Sequence, residues 1–324
     1  MKRFILFTFS VLLTFSVTIA QNLNFTYVPD DNFEQELINL GLDSGPLNDT
    51  VPTSAIDTVS ELLISNKNIF DLTGIEDFAS LTKLDVSFNQ LVSLDVSSNI
   101  YLYHLNCQFN QVLQGHLDLS NNTLLTYLKA KNNLLSSVTI GTDSIVTYMH
   151  LQSNQISSID LSNFYSLNYC NLSSNQLTSL DFTDAISVKY IYVNNNNLHT
   201  LNVSNGNNTA INWFSSTGNP NLDCIEVDDP SYSSVSPVWS EDSWSSYSTN
   251  CSLSGCTDPY ACNYNPLAWI DDSSCVFPSD TNLTIVACDN YSTSTTTLTV
   301  SGFYYDTLIN QYGCDSIIGI NLTI

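Results

Sequence analysis

The amino-acid sequence predicts an α/β-type solenoid dominated by β. Its parts are a right-handed stack of short coils with a parallel concave sheet, a short N-terminal helical cap and a small β-rich C-terminal module. Three observations carry this. A frame of the form L-x-x-L-x-L-x-x-N-x-L, with apolar residues at position 4 and at nearly every position 6, recurs eight times between Val59 and Leu222. Its ninth position is Lys67, Asn89, Asn110, Asn133, Asn154, Asn175, Asn196 and Asn219 in turn, at spacings of 21–23 residues. Finally, 43% of residues are hydrophobic and only 12% charged, which excludes an acidic disordered chain and leaves 38 asparagines to supply polarity.

Residues 1–20 read as a secretory signal peptide. Lys2-Arg3 leads into an apolar run from Phe4 to Val17, and small residues precede an expected cleavage before Gln21. No other stretch approaches 18 apolar residues, so no membrane span is expected. Acids number 31 against 7 basic residues, a net charge of −24. Arg3 is the only arginine, which excludes nucleic acid as a partner. Residues 21–58 form an N-terminal cap. Within it Pro29 to Leu37 reads as a helix start, with Asp31 as N-cap, Glu34 completing a capping box and Gly41 as the stop.

Residues 59–223 hold the eight coils. Leu81, Leu84, Val86, Asn89 and Leu91 fill the frame, as do Leu167, Cys170, Leu172, Asn175 and Leu177. The frame resembles the leucine-rich repeat family in its secreted, internalin-like form. One coil is too small to bury a core, so coils stack, with strands about 4.8 Å apart. The position-9 asparagines are expected to bond backbone groups at the turn. Cys107 and Cys170 fall at core positions and read as small buried hydrophobes. After position 11 comes a second alternation, as in Leu94-Asp95-Val96 and Leu180-Asp181-Phe182, which predicts extended convex segments.

Residues 224–254 form a C-terminal cap in which a Cys224–Cys251 disulfide is expected to seal the open core. Residues 255–278, from Gly255-Cys256-Thr257-Asp258-Pro259 to Asp271-Asp272-Ser273-Ser274-Cys275, resemble a short Cys module of secreted Bacteroidetes-type proteins. The resemblance implies a Cys256–Cys275 bridge. Ile270 stands where that module often has another Cys, which leaves Cys262 without a partner. Its carboxylates Asp258, Asp271 and Asp272 are a candidate Ca²⁺ set, weighed against a solvated turn with no cofactor. Residues 279–324 resemble a small β-rich adhesin-type repeat with a Cys288–Cys314 pair.

Nucleophile-elbow, P-loop, His-Glu-x-x-His and dinucleotide motifs are absent, and the chain reads as a non-enzyme. The candidate ligand surface is the concave face. Position 3 runs Glu61, Lys83, His104, Tyr127, Tyr148, Tyr169, Tyr190, Trp213, and position 5 adds His150, Asn171 and Tyr192. Such an aromatic row suits sugar faces or an extended peptide, and it also stabilises neighbouring strands. The expected function is a monomeric, secreted or surface-displayed binding or adhesion protein taking a protein or carbohydrate ligand. The alternatives are a structural stalk of an adhesin and the targeting region of a longer secreted enzyme.

Overall fold

The computed structural model describes residues 24–141, 144–252, 254–265, 268–278, 280–309 and 315–324. The leader expected over residues 1–20 lies outside them, as does Cys314. Among the described residues no helix is long and apolar enough to cross a membrane.

The repeat region is a leucine-rich repeat solenoid built almost wholly of β-structure. Nine short parallel strands follow one another in chain order across a single sheet. They are Glu61–Leu63, Lys83–Asp85, His104–Asn106, Tyr127–Lys129, Tyr148–His150, Tyr169–Asn171, Tyr190–Tyr192, Trp213–Ser215 and Trp239–Ser240. Eight belong to the recurring frame. The ninth comes from the capping segment, where Trp239 sits beside Phe214 and extends the sheet by one strand. The middle residues Leu62, Leu84, Leu105, Leu128, Met149, Cys170, Ile191 and Phe214 are all fully buried. Pairing is in frame, so Tyr148 lies beside Tyr127 and Tyr169, and any side chain repeated at one position becomes a ladder.

The asparagine ladder shows why position 9 is fixed. Asn175 Nδ2 donates to the carbonyls of Leu151 and Leu172 at 3.0 Å, and its Oδ1 accepts from Ile156 N–H at 3.0 Å. One buried amide thus satisfies backbone groups of two successive coils, and Asn154 and Asn196 repeat the pattern. At the end of the stack Asp242 takes over, accepting from the Gly218 and Asn219 N–H groups. A second amide row, Asn99 and Asn122, ties carbonyls near the convex side.

The convex aspartates serve turns. Asp95, Asp118, Asp160 and Asp181 each accept from the backbone N–H two residues on, at 2.9 Å. Hydrogen bonds from the backbone and then the hydroxyl of Ser97, Ser120 and Ser162 hold the carboxyls of Asp95, Asp118 and Asp160 below the usual range.

The N-terminal cap corrects the expected helix start. The helix spans Asp31–Asn39 and its N-cap is Asp30, not Asp31. Asp30 Oδ1 accepts from Asn32 and Phe33 N–H, while Oδ2 accepts from Phe70 and Asp71 N–H, so one carboxylate joins the cap to the first coil. Glu34 closes no capping box; it is buried and accepts from Asn48 and Asp49 N–H. Gly41, at φ 73°, ends the helix in a left-handed turn, with Leu42 N–H donating back to the Leu37 carbonyl.

At the other end Cys224 is bonded to Cys251 and Trp239 packs on Phe214, ring centroids 4.4 Å apart. Cys256 is bonded to Cys275. Cys262 is itself disulfide-bonded, which corrects the expectation that it lacks a partner. In the tail, Asp280–Val286 pairs in parallel with Asp315–Thr323, which pairs antiparallel with Gly302–Ile309. Cys288 is free and exposed, against the expected bond to Cys314. The parallel register supplies the reason. Cys288 follows Val286, which lies beside Thr323, at the opposite end of the central strand from Asp315.

Candidate functional site

The position-3 side chains form a continuous row, because the in-frame register stacks them. His104 lies on Tyr127 at 4.2 Å and 4°, Tyr127 on Tyr148 at 4.5 Å and 5°, and Tyr148 on Tyr169 at 4.5 Å and 9°. The stack then loosens: Tyr190 is tilted 40° from Tyr169 at 6.0 Å, and Tyr192 leans on Tyr169 at 5.7 Å. Trp213 follows in register and is 46% exposed. The inner rings therefore bury their faces on one another and present edges and hydroxyls. A sugar stacks on a ring face, so only the ends of the row offer that geometry. Burial pushes the pKa of the Tyr127, Tyr148 and Tyr192 hydroxyls up.

Position 5 behaves differently from the expectation of an exposed flank. His150 and Asn171 are buried beneath the row, each 8% exposed. Their polar atoms are taken up by neighbouring side chains. His150 Nδ1 lies 3.4 Å from the Tyr148 hydroxyl and Nε2 lies 3.1 Å from Gln152 Oε1. Asn171 Nδ2 donates to the Tyr169 hydroxyl at 3.4 Å.

Charge is uneven on this face. Lys83 Nζ lies 3.5 Å from Glu61, whereas among the described residues no carboxylate pairs with Lys129 or Lys131. Burial lowers the pKa of His104, aided by Lys83 and opposed by Asp85 and Glu61. Burial likewise lowers that of His150, with Lys131 and Lys129 acting in the same direction and the Gln152 hydrogen bond opposing. The unfolded chain therefore binds protons more readily than the folded one, and stability falls as pH drops through about 6.5. Urea midpoints at pH 7.5 and 5.5 are expected to show this loss, and His104→Gln with His150→Gln to reduce it. An unchanged slope in the double variant would sink the assignment.

Asp258, Asp271 and Asp272 do not converge on a cation site. Each accepts from a backbone N–H two residues on, within its own turn. Among the described residues the carboxylate group with metal-bridging spacing is Asp31, Glu34 and Asp49 instead. There Glu34 is already committed to the Asn48 and Asp49 N–H groups.

The frame also hid a second aromatic feature. Position 8 adopts φ near +57° in every coil from Asn66 to Asn195, and Gly218 ends the series at +76°. Most coils place Asn or Ser there, which suits a left-handed residue, but two place Phe88 and Phe109. For such a side chain the conformation costs about 1–2 kcal/mol. The two rings stack at 4.6 Å and 14°, and Lys131 Nζ lies 5.3 Å from the Phe109 ring. The sequence signal was there: two aromatics at a position otherwise held by small polar residues.

No protein-family model matches the chain. Over 73 residues the chain is 36% identical to internalin J of Listeria monocytogenes, a match covering 22% of this chain and 8% of that protein. The chain thus spans a small part of that relative's length. Among solved structures, the functional domain of internalin J, which includes a cysteine ladder, aligns over 92% of this chain and 99% of that one, at 16% identity and TM-score 0.31. Internalin F of the same species aligns over 68% and 71%, at 19% identity and TM-score 0.46. Over those 73 residues the chain is similar in sequence to an internalin, and its coils stack as those of a leucine-rich repeat solenoid do.

Proposed function

We propose that the chain is a non-catalytic, extracellular binding protein that holds a protein partner on its concave face. The observation that carries this is the edge-on tyrosine row. Three tyrosine rings stacked on one another and on His104 present rigid edges and hydroxyls at little entropic cost, as protein recognition favours. The same packing covers the faces a carbohydrate would need, so the carbohydrate ligand of the sequence reading is the weaker alternative. The Cys224–Cys251 and Cys256–Cys275 disulfides and the leader read from residues 1–20 support secretion or surface display.

Parallel protein and glycan arrays probed with the mature full-length chain test the reading. Saturable binding to one or more proteins is expected, with no glycan retained at comparable concentration. Glycan-only binding would overturn the choice of ligand class.

A further inference from the structure

At the turn that follows the strands of the first three coils lies a shallow hollow of about 510 Å³ lined by Asn66, Phe88, Gln90, Phe109, Gln111 and Val112. Its apolar wall is open: Phe88 is 49% and Val112 45% exposed. One face of Phe88 rests on Phe109. At the neighbouring position 8 toward the N-terminus the aromatic series stops at Asn66, leaving space where a further ring would continue the stack. The two phenylalanines hold a backbone conformation that the other coils give to Asn, Ser or Gly, so the fold tolerates strain to display them. The amides of Asn66, Gln90 and Gln111 around the hollow suit the backbone of an extended segment.

Charge identifies the rest of the occupant. In a chain of net charge −24, Lys129 and Lys131 stand on the concave face without a carboxylate partner among the described residues. They belong to the coil after Phe109, two strand spacings or about 10 Å from the open ring of Phe88, with Lys131 Nζ 5.3 Å from the Phe109 ring between them. An extended peptide covers that distance in roughly three residues.

We propose that this hollow takes a large apolar side chain from an acidic, extended protein segment whose carboxylate, about three residues away, reaches Lys129 and Lys131. The inference rests on the concave face being a protein-binding surface and adds a second anchor, with a sequence preference, to it.

The test uses the mature full-length chain and synthetic peptides carrying one phenylalanine and one aspartate, zero to six residues apart, in a glycine–serine background. Titration calorimetry is expected to show tightest binding at separations of two to four, weakened at least tenfold when either residue is replaced by serine. Phe88→Asn is expected to weaken binding at least tenfold while leaving Tm unchanged or raised, because Asn suits the left-handed position. Lys129→Gln with Lys131→Gln is expected to abolish the preference for aspartate. Absence of binding by every peptide, binding without spacing preference, or wild-type affinity in Phe88→Asn would each overturn the proposal. Tyr169→Ser keeps the two readings apart. If it abolishes binding of an array-identified protein while Phe88→Asn does not, the concave reading stands and the second anchor falls. If only Phe88→Asn matters, the reverse holds.

Discussion

Replacing Asn175 by Ala should cost the fold about 2 kcal/mol, a large effect for one polar side chain. The substitution removes no apolar contact of consequence. It strands the Ile156 N–H in a site that is 8% exposed, an orphan that costs about 1–3 kcal/mol, and it leaves the Leu151 and Leu172 carbonyls with one donor each, from Asn154 and Asn196, in place of two. Because coils contact mainly their neighbours, the loss falls on two interfaces at once and should broaden the unfolding transition as well as lower it. Urea unfolding followed by circular dichroism checks this. A loss below about 1 kcal/mol would mean that water replaces the amide, and that the ladder is an ornament of the frame rather than its fastening.

Removal of the Cys224–Cys251 bond by paired alanine substitution is expected to cost about 3.5 kcal/mol, the chain-entropy value for a loop of 27 residues. The bond joins the strand Cys224–Glu226 to the segment just past its neighbour Ser246–Ser248. Its loss should therefore loosen Trp239 over Phe214 and expose the last coil. Paired alanines at Cys256 and Cys275 provide the contrast. That bond staples a module outside the large core cluster, so the main transition should stay where it is. Equal shifts from both pairs would contradict the view that the first seals the solenoid.

Much of this was legible in the sequence because the frame is periodic. Leu84, Cys170 and Ile191 at position 4, and Asn175 at position 9, repeat with a spacing that admits one stacking, and the structure buries them as the frame requires. What periodicity could not convey was the geometry between neighbours. Alternation placed His150 and Asn171 on the concave side, but it took the packing of Tyr148 and Tyr169 above them to show that they are covered. The aromatic row was visible as a column of letters. That its rings lie flat on one another, hiding their faces, follows from rotamers and strand separation, which the letters do not carry. The helix start slipped by one residue because Asp30 and Asp31 both satisfy the local pattern. The choice was made by Phe70 and Asp71, some 40 residues away, whose N–H groups only Asp30 receives. Cys288 likewise depended on whether the tail strands pair in parallel, which the alternating composition does not encode.

The proposed protein partner contacts the ring edges and hydroxyls of the tyrosine row. The most direct test compares two triple variants at Tyr127, Tyr148 and Tyr169 for affinity toward a protein captured by the mature chain. Phenylalanine at the three positions keeps the stack and deletes the hydroxyls, whereas serine deletes both. A near-wild-type urea midpoint with at least tenfold weaker binding is expected for the phenylalanine variant, and lower stability with abolished binding for the serine variant. Wild-type affinity in both, with stability falling in the serine variant alone, would show that the row only holds neighbouring strands together.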